Sequence, residues 1–226
     1  MDLQVIYEDN HLIAVNKTSH DLVQGDSTGD VSLDRRIKEY LKEKYHKPGE
    51  VFLGVVHRLD RPVSGVVIFA RTSKALSRLT VMFRGGRVSK TYWAIVRDRP
   101  PRESDRLQHH LVRHARLNKS YSHDHPRGNS KPAALSYRII GFSDRYFLLE
   151  VDLETGRHHQ IRSQLSAIGC PVKGDLKYGF PRSNPDGGIS LHARKLSFTH
   201  PVSKMQVEIV ADPPHSEKLW ESFAPI

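Results

Sequence analysis

The sequence has one cysteine, Cys170. A lone thiol cannot form an intramolecular disulfide, so a reducing cytoplasm is the expected setting. No uninterrupted apolar run approaches the roughly 20 residues of a bilayer span, and residues 1–10 mix charged with apolar side chains. A soluble, unprocessed chain without a membrane partner is expected. GxGxxG and P-loop motifs are absent, and Gly85-Gly86 ahead of Arg87 reads as a helix stop, so no nucleotide cofactor has a docking motif. Cys-x-x-Cys and His-Glu-x-x-His are absent too. His109, His110, His114, His123 and His125 crowd one stretch, but without ligand spacing no metal is expected.

What the chain has in excess is positive charge. Lys and Arg number 35 against 25 Asp and Glu, a formal net charge of +10, which concentrates polyanions near the surface and makes nucleic acid the leading partner. With 226 residues, 38% of them hydrophobic, the chain suffices for one substantial core, and no repeat or linker divides it. One domain over residues 1–226 is expected.

The pattern alternates irregularly between strands and helices. Apolar runs around Val5–Tyr7 and Leu12–Val15 flank the polar turn Glu8–His11 as in a hairpin. Leu33, Ile37, Tyr40, Leu41 and Tyr45 recur at helical spacing behind Ser32 as N-cap. Val66–Ala70 reads as a strand, followed by a helix capped by Ser73 and ended by Gly85-Gly86; Thr91–Val96 is a further strand. Strands at Ala133–Ile140 and Tyr146–Leu153 precede a helix over Arg157–Ile168, and strands at Leu191–Phe198 and Met205–Val210 end the pattern. Residues 97–132 show little apolar periodicity and carry nine basic residues against four acidic ones. They read as a long excursion suited to an RNA-contacting arm. The elements specify an α+β fold on a mixed, mainly antiparallel central sheet flanked by helices and loops.

Three clusters carry chemistry. In His57-Arg58-Leu59-Asp60-Arg61-Pro62-Val63-Ser64-Gly65 a carboxylate sits between two guanidinium groups at a bend, which favours its ionised, nucleophilic form. Glu154-Thr155-Gly156-Arg157-His158-His159-Gln160-Ile161-Arg162 puts basic residues on the first turns of a glycine-opened helix, where they can bind phosphate or pair with a buried carboxylate. Lys90–Val96 is a strand whose adjacent aromatics, Tyr92 and Trp93, point to opposite faces, so one of them can face a site.

Together these clusters resemble the motifs of the RluA-type pseudouridine synthases: HRLDxxTSG at His57–Gly65, KxYxAxV at Lys90–Val96 and TGRxHQIRxHL at Thr155–Leu165. Supporting matches are Tyr7-Glu8-Asp9, Val15-Asn16-Lys17, Gly174-Asp175, Tyr178-Gly179, Leu191-His192-Ala193 and His200-Pro201. The resemblance implies the pseudouridine synthase catalytic fold and an enzyme that isomerises uridine to pseudouridine in ribosomal or transfer RNA without a cofactor. It makes Asp60 the catalytic aspartate, Tyr92 the active-site tyrosine and Arg162 the arginine that pairs with that aspartate. Arg58 would fill the space left by a flipped base, and His57, Arg61, Lys90, Arg157, His159 and Gln160 are further candidate RNA contacts.

The chain departs from the family pattern at Val63, where Thr is usual, at Thr18–His20, which replace a Pro-x-Gly turn, and at Gln164, where His is usual. No separate N-terminal RNA-binding domain fits before Val5, and a monomer is expected. Asp60 could attack C1' or uracil C6, or take a ribose proton. Two competing classes are an inactive RNA-binding module, in which a carboxylate would repel phosphate, and a retaining glycosidase, which needs a second carboxylate for which Glu154 is the nearest candidate.

Overall fold

The computed structural model describes residues 3–25, 29–215 and 217–225. Strands β1 (Val5–Glu8) and β2 (Leu12–Lys17) form the expected hairpin. Asp9 closes its turn, Oδ1 accepting the backbone N–H groups of His11 and Leu12 at 2.7 Å each. Helix α1 (Leu33–Lys44) buries Leu33, Ile37 and Leu41, one per turn. After the short β3 (Gly54–Val55) comes β4 (Ser64–Ala70), buried at every position. Its Val67 and Phe69 pack with α1, while Val66, Ile68 and Ala70 pack with Ala75, Leu79 and Met82 of α2 (Ser73–Arg84). Two covered faces explain the continuous apolar run. Thr72 rather than Ser73 caps α2, its hydroxyl accepting the Ala75 N–H at 3.2 Å, and Gly85 ends the helix.

Beyond β5 (Ser89–Val96), residues 97–132 are not an irregular excursion. They hold β6 (Ser104–His114), β7 (Lys119–His123) and the start of β8 (Lys131–Phe142). Strand hydrogen bonds come from the main chain and tolerate polar side chains, and this hairpin lies at the sheet's end with one face in solvent. Only Leu107 and Leu111 of β6 are buried hydrophobics, too few to register as a pattern. Strand β9 (Phe147–Leu153) follows, then α3 (Gln160–Ala167), which is shorter than expected because Arg157 and His158 lie on the turn before it. A 3-10 turn (Leu176–Tyr178), β10 (Leu191–Thr199), β11 (Gln206–Val210), a second 3-10 turn (Lys218–Glu221) and β12 (Ala224–Pro225) complete the order.

The strands form one sheet in the order β1-β2-β4-β10-β5-β9-β8-β6-β7, with β3 on β4, β11 on β10 and β12 on β8. Among the described residues every strand pairing is antiparallel except β4 with β10, which touch only at His192–Ser64 and Ala193–Gly65. The architecture is the expected α+β fold. At that seam Gly65 has φ +113°, and a Cβ there would lie 2.3 Å from the Ala193 carbonyl oxygen, so only glycine lets the strands meet. The loop carrying His57–Val63 leaves the sheet at this point. Beneath it, Val63 and Leu191 join Ile161 and Leu165 of α3 and the inner residues of β5 and β9 in one core cluster.

Candidate active site

The His57–Val63 loop is tied down from below by Lys17. This side chain is 1% exposed and donates to the carbonyls of Thr18, Arg61 and Val63 at 2.8, 2.7 and 2.7 Å. Burial pushes its pKa down to about 7, against the charges of Asp21 and Asp60, and three carbonyl acceptors call for the three donors that only the ammonium has. Pro62 adds a bond from the Ile189 N–H, and Val63 is buried in the core, so the loop is braced without the family's threonine hydroxyl. Thr18 makes a turn of its own, bonding Asp21 Oδ2 through N–H and Oγ1 at 2.9 and 2.8 Å.

So held, Asp60 projects into a cleft and keeps 29% of its side chain exposed. Its partner is not a sequence neighbour. Arg61 pairs with Asp30 at 2.8 Å and Arg58 lines the cleft, whereas Arg162, on the first turn of α3, donates from Nη1 to Asp60 Oδ2 at 3.0 Å. The rest of that guanidinium is gripped by Asp175, 1% exposed, through Nε–Oδ2 at 2.6 Å and Nη2–Oδ1 at 2.9 Å. Burial opposes the Arg162 charge, but the bonds and charges of Asp175 and Asp60 outweigh it and raise the pKa. The start of α3 therefore holds a carboxylate clamp rather than an open anion site. His159 Nε2 also approaches Asp60 Oδ2, at 3.3 Å.

The cleft, about 1040 Å³, is lined by eight Arg and Lys residues against two acids, Asp60 and Glu154, and so suits an anionic ligand. Arg113 and Asn118 of the β6–β7 hairpin and Lys177 reach its rim. A recess of about 90 Å³ adjoins it, lined by Asp60, Tyr92 and the apolar Val63, Leu153, Ile161 and Leu191 together with Arg58, Arg157, His159, Gln160 and Arg162. Tyr92 packs toward this side and Trp93 toward the opposite face with Ile95 and Trp220, the alternation a strand imposes. Burial, then the nearby Asp60 charge, raises the Tyr92 hydroxyl well above its usual pKa. Burial lowers Lys90, which stands beside Gly156.

The remaining sequence candidates divide by geometry. His57 Nε2 accepts the Ile68 N–H at 3.1 Å and its ring stacks on Phe83 at 4.7 Å; burial, then the Lys90 charge, lowers it to about 4. It braces the loop. Gln160 is buried, its Oε1 accepting from Thr155 Oγ1 and Arg157 N–H and its Nε2 donating to the Ala134 carbonyl, which fixes the turn before α3. Arg157 lines the cleft while Nε donates to the Pro132 carbonyl. Gln164 is buried where α3 crosses the sheet, donating to the Leu107 carbonyl at 3.2 Å and meeting His109 Nδ1 at 3.0 Å. Lys17 and Asp175 were not among the sequence's site candidates, although both fall in the supporting motif matches Val15-Asn16-Lys17 and Gly174-Asp175. Among the described residues no three His, Cys, Asp or Glu side chains converge as metal ligands.

Known proteins resemble this chain along most of its length. The family model for RNA pseudouridylate synthase matches residues 11–167. The tRNA pseudouridine synthase C of Pectobacterium carotovorum is 32% identical over 231 residues, covering 92% of this chain and 58% of that protein. The ribosomal large subunit pseudouridine synthase D of Zymomonas mobilis is 31% identical, with 96% and 71% covered. The solved structure of human RNA pseudouridylate synthase domain containing 4 has the same fold, with a TM-score of 0.78 at 23% identity over 94% of this chain and 89% of that one. The chain belongs to the RNA pseudouridine synthase family, and to its RluA type.

Proposed function

We propose that this chain isomerises uridine to pseudouridine in ribosomal or transfer RNA, with Asp60 as the nucleophile or base that starts the reaction. The observation that carries the proposal is the Asp60 carboxylate, clamped by Arg162 in a basic cleft and lining, with Tyr92, a recess of mixed polar and apolar wall. The C1'–N1 bond breaks, uracil turns within the recess, C5 bonds to C1', the C5 proton leaves and N1 gains one. No atom is gained and no electron leaves the substrate. Since C1' and C5 lie within a base stack, the nucleotide must be extruded, at a cost of about a few kcal/mol that is smallest in a loop or bulge. Arg58, at the junction of cleft and recess, is placed to occupy the vacated stack, and Arg61, Lys90, Arg157 and Arg113 to hold the flanking phosphates. Two relatives act on different RNAs by name, one on tRNA and one on the large ribosomal subunit.

Hydrolysis of the glycosidic bond is disfavoured by the same geometry. Glu154 is engaged with Arg106 at 2.6 Å and Asp175 is buried behind Arg162, so neither offers the second carboxylate a retaining glycosidase needs. The test is Asp60→Asn on RNA carrying tritium at uridine C5. Tritium release should vanish while RNA affinity changes by less than about tenfold, because the substitution removes the reacting group and a charge that phosphate avoids. Full release by the variant would overturn the proposal.

A further inference from the structure

The proposed reaction needs one carboxylate oxygen of Asp60 anchored and the other presented. The structure carries a chain of contacts that makes this distinction. It starts at the backbone N–H of Ser120 in β7, a donor whose direction cannot change, which Tyr178 Oη accepts at 2.9 Å. A phenol has a single proton, and the group facing its other side is His159 Nδ1 at 3.0 Å. Donation to Nδ1 gives that proton an acceptor, whereas a protonated Nδ1 would leave it with none among the described residues. Burial pushes the His159 pKa down, opposed by Asp60 and reinforced by Arg162, which favours the neutral ring, and with Nδ1 accepting from Tyr178 the ring's one proton sits on Nε2. That nitrogen stands 3.3 Å from Asp60 Oδ2, the oxygen that also takes Arg162 Nη1. Among the described residues Oδ1 accepts no hydrogen bond.

We infer that His159 is a positioning residue: held as its Nε2–H tautomer by Tyr178 and Ser120, it joins Arg162 in anchoring Asp60 Oδ2 and leaves Oδ1 as the reacting oxygen. The inference rests on the reading of Asp60 as the reacting group. The opposite tautomer would set an Nε2 lone pair against the carboxylate and repel it. The ring has little freedom to turn away. His159 caps α3 from the left-handed region, at φ +52°, and His158 stacks on it at 3.8 Å between centroids. His158 is in turn bonded to Ser120 Oγ at 2.9 Å and Asn118 Oδ1 at 3.1 Å. The same hairpin that lines the cleft through Arg113 and Asn118 thus also supplies, through Ser120, the contacts that hold both imidazoles.

The experiment compares His159→Gln with His159→Asn in tritium release under saturating RNA, beside RNA binding. A glutamine amide reaches the Nε2 position and can serve Asp60; an asparagine amide reaches the Nδ1 position and can serve only Tyr178. The expected result is turnover within about tenfold of wild type for His159→Gln and a loss of about thirtyfold or more for His159→Asn, with RNA affinity within about threefold in both. Rescue by asparagine but not glutamine, or wild-type turnover in both, would show a merely structural histidine and overturn the inference. If either variant fails to fold, long-range proton–nitrogen NMR of ¹⁵N-histidine in the wild-type protein decides. His159 should show a bare Nδ1 and a protonated Nε2, and the reverse tautomer refutes it. Activity retained by Asp60→Asn would strike the parent reading instead, and the two failures are thereby distinguishable.

Discussion

Replacing Arg162 separates what the clamp does for catalysis from what it does for the fold. The guanidinium makes three charge-assisted bonds, two to the buried Asp175 and one to Asp60. In Arg162→Ala, Asp175 is left as an uncompensated buried charge, a loss of about 3–5 kcal/mol from a stability that is about 5–15 kcal/mol in ordinary domains. Arg162→Lys keeps the charge and removes the fork. One ammonium can satisfy Asp175 or Asp60 but not hold both in plane, so stability should fall by only about 2–3 kcal/mol, the worth of one such bond. Catalysis should suffer alike in both variants, because a carboxylate displaced by about 1 Å costs on the order of a hundredfold in rate. The assay is single-turnover tritium release from C5-labelled RNA with enzyme in excess, alongside denaturant unfolding and filter binding. The expected pattern is a rate loss of about a hundredfold for lysine as for alanine, a larger stability loss for alanine, and RNA affinity within about threefold for lysine. Wild-type turnover in Arg162→Lys would refute the reasoning, since it would show that Asp60 needs a nearby positive charge and not an oriented one.

Two other outcomes follow from the cleft and from the buried histidines. The double variant Arg113→Ala, Arg116→Ala should flatten the slope of log affinity against log salt by up to about 1.4, at about 0.7 per phosphate contact on single-stranded RNA, and an unchanged slope would remove the hairpin from the binding surface. His57 and His192 are both lowered to about 4, each chiefly by burial, so each contributes stability that is complete above about pH 6.5 and is lost as pH falls toward 4. Each should cost about 2 kcal/mol between pH 7 and pH 5, and His57→Gln should remove about that much of the acid loss in urea titrations; an undiminished loss would contradict a neutral His57.

The parts of the fold that the sequence revealed are those in which a side-chain pattern and a backbone element coincide. Leu33, Ile37 and Leu41 mark α1 because one helix face meets β4, and Val66–Ala70 mark β4 because both its faces are covered. Strands β6 and β7 left no such trace: main-chain bonds hold them, and their outward side chains answer to solvent. The site shows the same division. Asp60 stood out in its motif; the adjacent Arg58 and Arg61 read as its charge neighbours, while its partner in the structure is Arg162, 102 residues away, the arginine that only the family resemblance pointed to. Lys17 and Asp175 act from beneath the surface, one on carbonyl groups and one on a guanidinium, and neither contact has a signature in residue spacing. Gln160, a candidate RNA contact by sequence, is a buried brace of the turn before α3.

The two-residue seam between β4 and β10 also bears on how the chain acquires its site during synthesis. Gly65 meets its neighbour only once Ala193 is present, and the Asp60 loop, held from the first third of the chain by Lys17 and His57, takes further supports from Arg162 and Ile189 in the last third. Such contacts close loops of a hundred residues or more and form late, whereas the β1–β2 hairpin can form from its own short stretch of chain. A nascent chain still lacking β10 therefore carries the whole His57–Gly65 motif in its sequence before the strand that seats Gly65 has been made.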